Sequence, residues 1–194
     1  MKNRIAPFKK VVFIGLFLFI LSCNNADDEF YNSVFIEVSN LIQVEIQPNF
    51  TVDDILWINT NDFASVLSES GQTEPLNVFL TTGAETFKFA YFIERQNGSE
   101  WEMYNLNGNL VNDLGGAVIL NGITGFPIIN NNNFYEYRNG IRLNQDGNYR
   151  LTFYSSFRSQ GVDLISENAP DRTYMIITTT VSGITGNTYN FSVN

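Results

Sequence analysis

The 20 carboxylates of this 194-residue chain are the side chains most open to catalysis, because the other common catalytic groups are scarce: there is no histidine and only one cysteine. A Ser-His-Asp or Cys-His nucleophile cannot be assembled, nor a histidine or cysteine zinc site, nor a disulfide within the chain. Lys88 is the only lysine after residue 10. With Phe87 before it and Glu85 three residues upstream, it belongs to neither a Walker loop nor an S-x-x-K nucleophile motif. Gly115-Gly116 and Gly122-x-x-Gly125 do not make the G-x-G-x-x-G fingerprint and read as turn glycines. A glycosidase needs only two carboxyl groups at a set separation, and Asp53, Asp54, Glu100 and Glu102 flank Trp57 and Trp101 in a composition that suits a sugar site. So many acids place some beside a tryptophan by chance, and the chain reads as a non-enzyme with a carboxylate hydrolase as the lesser alternative. Asn105, Asn107, Asn109 and Asp113 alternate around Gly108, but Asn stands where a calcium loop has Asp and no Glu follows at the twelfth place. A β-turn is expected there, with no metal and no cofactor.

The one cysteine takes its meaning from what precedes it. Lys2, Arg4, Lys9 and Lys10 lie before an apolar stretch of eleven residues, Val11 to Leu21. A membrane-spanning helix needs about 20 apolar residues, so the stretch is too short to span. Its basic start, apolar middle and small Ser22 fit a secretory signal peptide over residues 1–22. The segment Ile20-Leu21-Ser22-Cys23 resembles the lipobox of bacterial lipoproteins. That resemblance implies a diacylglyceryl group on the Cys23 sulfur, cleavage before Cys23 and acylation of the new amino terminus. Residues 23–33 then form a lipidated tether and residues 34–194 the folded domain. The run Asn24 to Phe30 also resembles the short acidic export signal of Bacteroidetes surface lipoproteins, which implies that Asp27, Asp28 and Glu29 route the protein to the outer face of the outer membrane. A solvated, charge-extended tether is the other reading of those acids.

Cleavage before Cys23 would remove all four leading basic residues and leave 7 basic against 20 acidic side chains, a formal charge of −13. Nucleic acid is excluded as a partner, since phosphate binding needs clustered Lys and Arg. An anionic membrane surface would repel the body as well. Attachment must come from lipid, for which two or more acyl chains suffice.

At 44% hydrophobic and 14% aromatic residues, the body has enough apolar surface for one core and is not disordered. The β-branched and aromatic runs Val34 to Ile46, Asp54 to Asn59, Leu76 to Thr82, Thr86 to Arg95, Glu100 to Asn105, Ala117 to Leu120, Phe134 to Leu143, Tyr149 to Phe157, Thr173 to Val181 and Thr188 to Val193 read as strands. Only Asn61 to Ser68 reads as a helical turn. Without crossover helices to join parallel neighbours, about eight to ten strands are expected in a single antiparallel β-sandwich. Asp146-Gly147-Asn148-Tyr149-Arg150-Leu151 resembles the tyrosine corner of immunoglobulin-like sandwiches, with Gly directly after Asp as a departure. The resemblance implies an Ig-like fold with the Tyr149 hydroxyl bonded to backbone just upstream; a plain Asp-Gly hairpin is the alternative.

The body is thus expected to be all-β, following a signal peptide and a short acidic tether, and to act as a non-catalytic binding module for a glycan or a protein at the outer membrane. A structural accessory docking on an outer-membrane partner, by strand addition at an exposed edge, is the alternative. Trp57 is expected in the core. Trp101, with Glu100 and Glu102 as neighbours, is the residue set for weak glycan binding, although alternation equally suits Trp101 turned inward.

Overall fold

Residues 32–69, 72–158, 160–170 and 173–194 are described by a computed structural model. Cys23, Asp27, Asp28 and Glu29 lie outside the described residues. The first elements are β1 (Asn32–Glu37), β2 (Ile42–Val44), β3 (Ile55–Thr60), β4 (Val66–Leu67), β5 (Leu76–Asn77) and the short helix α1 (Val78–Thr82). The middle of the chain supplies β6 (Thr86–Asn97), β7 (Glu100–Met103), β8 (Leu110–Leu114), β9 (Gly116–Ile119), β10 (Ile123–Phe126), β11 (Ile128–Ile129) and β12 (Tyr135–Glu136). The last third supplies β13 (Arg138–Arg142), β14 (Gly147–Phe153), β15 (Val162–Glu167), β16 (Thr173–Thr179), β17 (Val181–Ser182) and β18 (Thr188–Val193).

The long strand β6 is the spine. Its period-two alternation buries Phe87, Phe89, Tyr91 and Ile93 and leaves Lys88, Ala90, Phe92 and Glu94 on the opposite, half-buried face. Along one side it pairs first with β15 and then with β14; along the other it pairs in turn with β11, β10 and β7. The large sheet runs β1-β16-β15-β6-β10-β9, and a second sheet runs β17-β2-β3-β13-β8. Ile42, Val44, Leu56, Ile58 and Ile141 of the second sheet share one core with Phe87, Phe89, Tyr91, Leu151 and Phe153 of the first. The result is an all-β, sandwich-like body, and the chain from Tyr31 to Asn194 clusters as one unit.

Two ladders correct the purely antiparallel expectation. Strand β1 runs parallel to β16, from Asn32↔Thr173 to Glu37↔Thr178, and β17 runs parallel to β2. The need for a crossover helix applies only to parallel strands that follow each other in the chain. These partners are far apart in sequence, so the intervening sheets make the connection. The expected run Val34 to Ile46 also divides, because Asn40 adopts φ 64° and sends β1 and β2 into different sheets.

Local chemistry accounts for two more corrections. Leu76 to Thr82 does not stay extended: the Asn77 side chain accepts from Leu80 N–H at 2.9 Å, and Gly83, at φ 64°, closes α1 with an N–H bond to Phe79 O. Asn61 to Ser68 is not helical, because Asp62 is left-handed at φ 49° and Ser65 N–H donates instead to Asn133 O at 2.7 Å. The corner at Tyr149 forms as expected: the side chain is fully buried and its hydroxyl donates to Gln145 O at 2.7 Å. Tyr149→Phe is therefore expected to lower stability by about 1 kcal/mol in urea unfolding, and a neutral result would show that the bond adds nothing to the fold.

Candidate functional site

The Trp101 set sits where the chain reverses after β6. Gly98, at φ 61°, turns β6 into β7, which places Trp101 opposite Gln96. Glu100 and Glu102 are exposed and project from one side of β7, while Trp101 is half-buried on the other. Glu102 accepts from Asn97 Nδ2 at 3.1 Å. Over the Trp101 ring lies the Arg150 guanidinium, 4.6 Å from the ring centre, held there by Glu94 at 2.7–2.8 Å. The three residues do not converge, and a cation already covers one indole face.

Trp57 follows the same pattern and corrects its expected place in the core. Its neighbours Leu56 and Ile58 are fully buried, so alternation turns Trp57 to the outer side of the second sheet. The Arg138 guanidinium lies 3.8 Å from its ring centre and bridges Glu45 at 3.0 Å and Asp113 at 2.8 Å. The hydrogen bonds that the guanidinium donates to these two carboxylates, Glu45 first, hold its pKa above the ordinary value. Trp57 also covers Gly140, its cross-strand partner, where a Cβ would meet the ring at 2.9 Å. Of the acids beside it in sequence, Asp54 is spent on a turn, accepting from Thr51 N–H at 2.7 Å and Thr51 Oγ1 at 3.0 Å.

A polar hollow of about 200 Å³ lies beyond Glu102, lined by Arg95, Tyr104, Asn105, Asn109 and Asn144. Most of its groups are bonded to one another. The Tyr104 hydroxyl lies 2.6 Å from Asn144 Oδ1 and accepts from Asn144 N–H, and Asn144 Nδ2 donates to Asn109 Oδ1 at 3.1 Å. Asn109 Nδ2 donates in turn to Asn105 O at 2.8 Å, and the expected β-turn around Gly108 is present, closed by Asn109 N–H donating to Leu106 O at 3.0 Å. Arg95 is engaged by Asp146 O through Nε and Nη2, at 2.9 and 2.7 Å. This network braces the Tyr149 corner rather than presenting free groups to a sugar.

Exposed aromatics do occur elsewhere. Phe35 of β1 meets Phe157 edge-on at 5.5 Å, beside the ion pair Glu37–Arg158. The buried Asp163 fixes that loop by accepting from Ser156 N–H at 2.6 Å, Ser155 Oγ at 3.0 Å and Thr178 Oγ1 at 3.1 Å.

Motif reading missed one further surface. Residues 114–135 contain no charged side chain, a run of 22. Among the described residues, six of the fourteen exposed large apolar residues fall inside it: Leu114, Val118, Ile119, Leu120, Ile128 and Phe134. Residues 173–194 are equally uncharged and contribute none of the fourteen, so lack of charge alone does not produce the exposure. At the β9–β10 turn, Leu120 is 70% exposed and borders a hollow of about 260 Å³ with Phe92 and Tyr154. Tyr154 N–H donates to Ala90 O at 2.9 Å, which fixes that aromatic beside β6. The signal present in the sequence was the coincidence of an apolar run with the absence of charge. No family model, curated protein or solved structure matches the chain.

Proposed function

We propose that this chain is a lipid-anchored, non-catalytic binding module on the outer face of the outer membrane, and that its ligand is a protein. The observation that carries the choice of a protein is the uncharged stretch 114–135 with its six exposed large apolar residues. Interface cores are depleted of charge and rich in apolar contacts. A glycan site would instead call for a free aromatic face beside unpaired polar groups. Arg138 and Arg150 cover faces of the two tryptophans. Docking as a structural accessory on an outer-membrane partner would use the same surface. The anchor is part of the proposal and rests on the lipobox resemblance at Cys23, with Asp27, Asp28 and Glu29 as the export signal. The Ig-like character of the sandwich is part of it too, supported by the Tyr149 corner bond, with the two parallel ladders as departures.

Two measurements test this reading. Metabolic labelling with palmitate should mark the wild type and not Cys23→Ser; an unlabelled wild type would contradict the anchor. On a glycan array the mature protein should find no ligand, and Trp101→Ala should cost about 1 kcal/mol of stability, as loss of a half-buried ring and its Arg150 contact would. A saccharide that binds the wild type and is lost in Trp101→Ala would return the site to β7 and contradict a protein ligand.

A further inference from the structure

We infer that β9 receives an extended segment of another protein by strand addition, and that this segment carries a lysine or arginine at the end lying beside Glu136. The inference rests on the protein-binding reading above. Among the described residues, strand β9 ends the large sheet and pairs only with β10, from Gly116↔Phe126 to Ile119↔Ile123. Its far side is therefore a template for another strand, a hazard that folded proteins normally blunt with charge, proline, bulges or cover. Several other edges carry such devices, although β17 and β18 are also uncharged. Strand β1 has Glu37, β7 has Glu100 and Glu102, and β8 has Asp113 with a register shift opposite it. The end of β18 is covered by residues 50–52, through the bridge Phe50↔Val193 and the bond from Val52 N–H to Asn194 O. Gly116-Ala117-Val118-Ile119 has no charge and no proline, and Val118 and Ile119 are 45% and 43% exposed.

Charge selects the occupant. From residue 32 onward the chain has 7 basic and 17 acidic side chains, so a second copy would be repelled while a basic partner would be drawn in. The local charge agrees. A Cβ on Gly115, the residue before β9, would lie 2.9 Å from Glu136 O, which places Glu136 at the Gly116 end of the edge. Among the described residues no cation pairs with Glu136, whereas Asp113 is already held by Arg138. The complementary strand is thus apolar and β-branched along Val118 and Ile119 and basic toward Glu136, with main-chain bonds giving affinity.

The test uses the mature protein beginning at Cys23, in detergent micelles, and a fluorescent synthetic peptide, Lys-Val-Thr-Val-Thr-Val-Lys. Saturable binding is expected, with new amide-exchange protection confined to Gly116–Ile119. N-methylation of alternate peptide nitrogens keeps the side chains and removes the strand bonds, and should weaken binding about tenfold or more. Replacing both peptide lysines by glutamate, or Glu136→Gln in the protein, should weaken it severalfold. Equal binding of the N-methylated peptide, or protection elsewhere, would overturn strand addition while leaving a protein ligand in place. Concentration-dependent dimers dissolved by Val118→Glu would overturn the occupant in favour of a second copy. No binding of the parent peptide would overturn the inference. A failure of the protein-binding reading itself would appear separately, as loss of any Leu120-dependent cross-link on cells.

Discussion

Tyr137→Ala is expected to cost about 4–6 kcal/mol, the sum of a buried aromatic truncation and an orphaned hydroxyl on its partner. Tyr137 is buried, its ring meets Phe89 edge-on at 5.0 Å, and its hydroxyl lies 2.7 Å from that of Tyr91, also buried. Removing the ring leaves a cavity between the sheets and strips Tyr91 of its partner. Tyr137→Phe keeps the volume and should cost only about 1–2 kcal/mol, mainly through the unpaired Tyr91 hydroxyl. Gly125 provides an internal control, because a Cβ there would lie 2.8 Å from both Phe89 Cε1 and Tyr137 Cζ. Alone, Gly125→Ala should cost about 1–3 kcal/mol by overpacking. Combined with Tyr137→Ala it should cost less than the sum, since one of the two clashes disappears. Urea unfolding of the four proteins measures this directly; strict additivity would mean that the rings do not meet over Gly125.

Above pH 10 the body should unfold in one transition that coincides with the appearance of tyrosinate absorbance. Burial raises the hydroxyl pKa of Tyr91, Tyr135, Tyr137 and Tyr189 above the ordinary value, and carries that of Tyr149 up to about 12. Unfolded tyrosines lose their protons near pH 10. Between that pH and the folded values, the native state binds more protons than the unfolded one, so unfolding releases protons and stability falls as pH rises. The contribution is complete below pH 10 and disappears as pH climbs through 12 and beyond. The buried hydroxyls have fixed partners that favour the neutral form: Tyr135 donates to Ala84 O at 2.8 Å, and Tyr149 donates to Gln145 O. Near-UV dichroism and tyrosinate absorbance should therefore change together. Full ionisation of the tyrosines near pH 10 with dichroism intact would contradict the buried set.

The parts of the fold that could be read in the sequence are those governed by short-range rules. The β-branched and aromatic run Thr86 to Arg95 located strand β6, and the Asp146 to Leu151 pattern located the corner hydroxyl. What sequence left hidden depends on distant partners. Whether Trp57 lies inside or outside turned on Leu56 and Ile58 claiming the core. The parallel pairing of β1 with β16 joins residues about 140 positions apart, such as Asn32 and Thr173. Helix α1 was announced only by Asn77 and Gly83, six residues apart, within a run whose Val78 and Phe79 suit a strand. The proposed binding surface was hidden for a further reason. Exposure of Val118, Ile119 and Leu120 follows from β9 ending the sheet, and edge position is a property of the topology, not of local residues.

Site-specific photo-cross-linking on intact cells tests the protein-binding account most directly. A photoreactive residue placed at Leu120, on the uncharged surface, should yield one discrete protein adduct that disappears when Val118 and Ile119 are both changed to glutamate. The same residue placed at Val52, which is exposed but outside residues 114–135, should yield none. Adducts of equal intensity from both positions, or none from Leu120 when the protein is present at the surface at normal levels, would contradict the account.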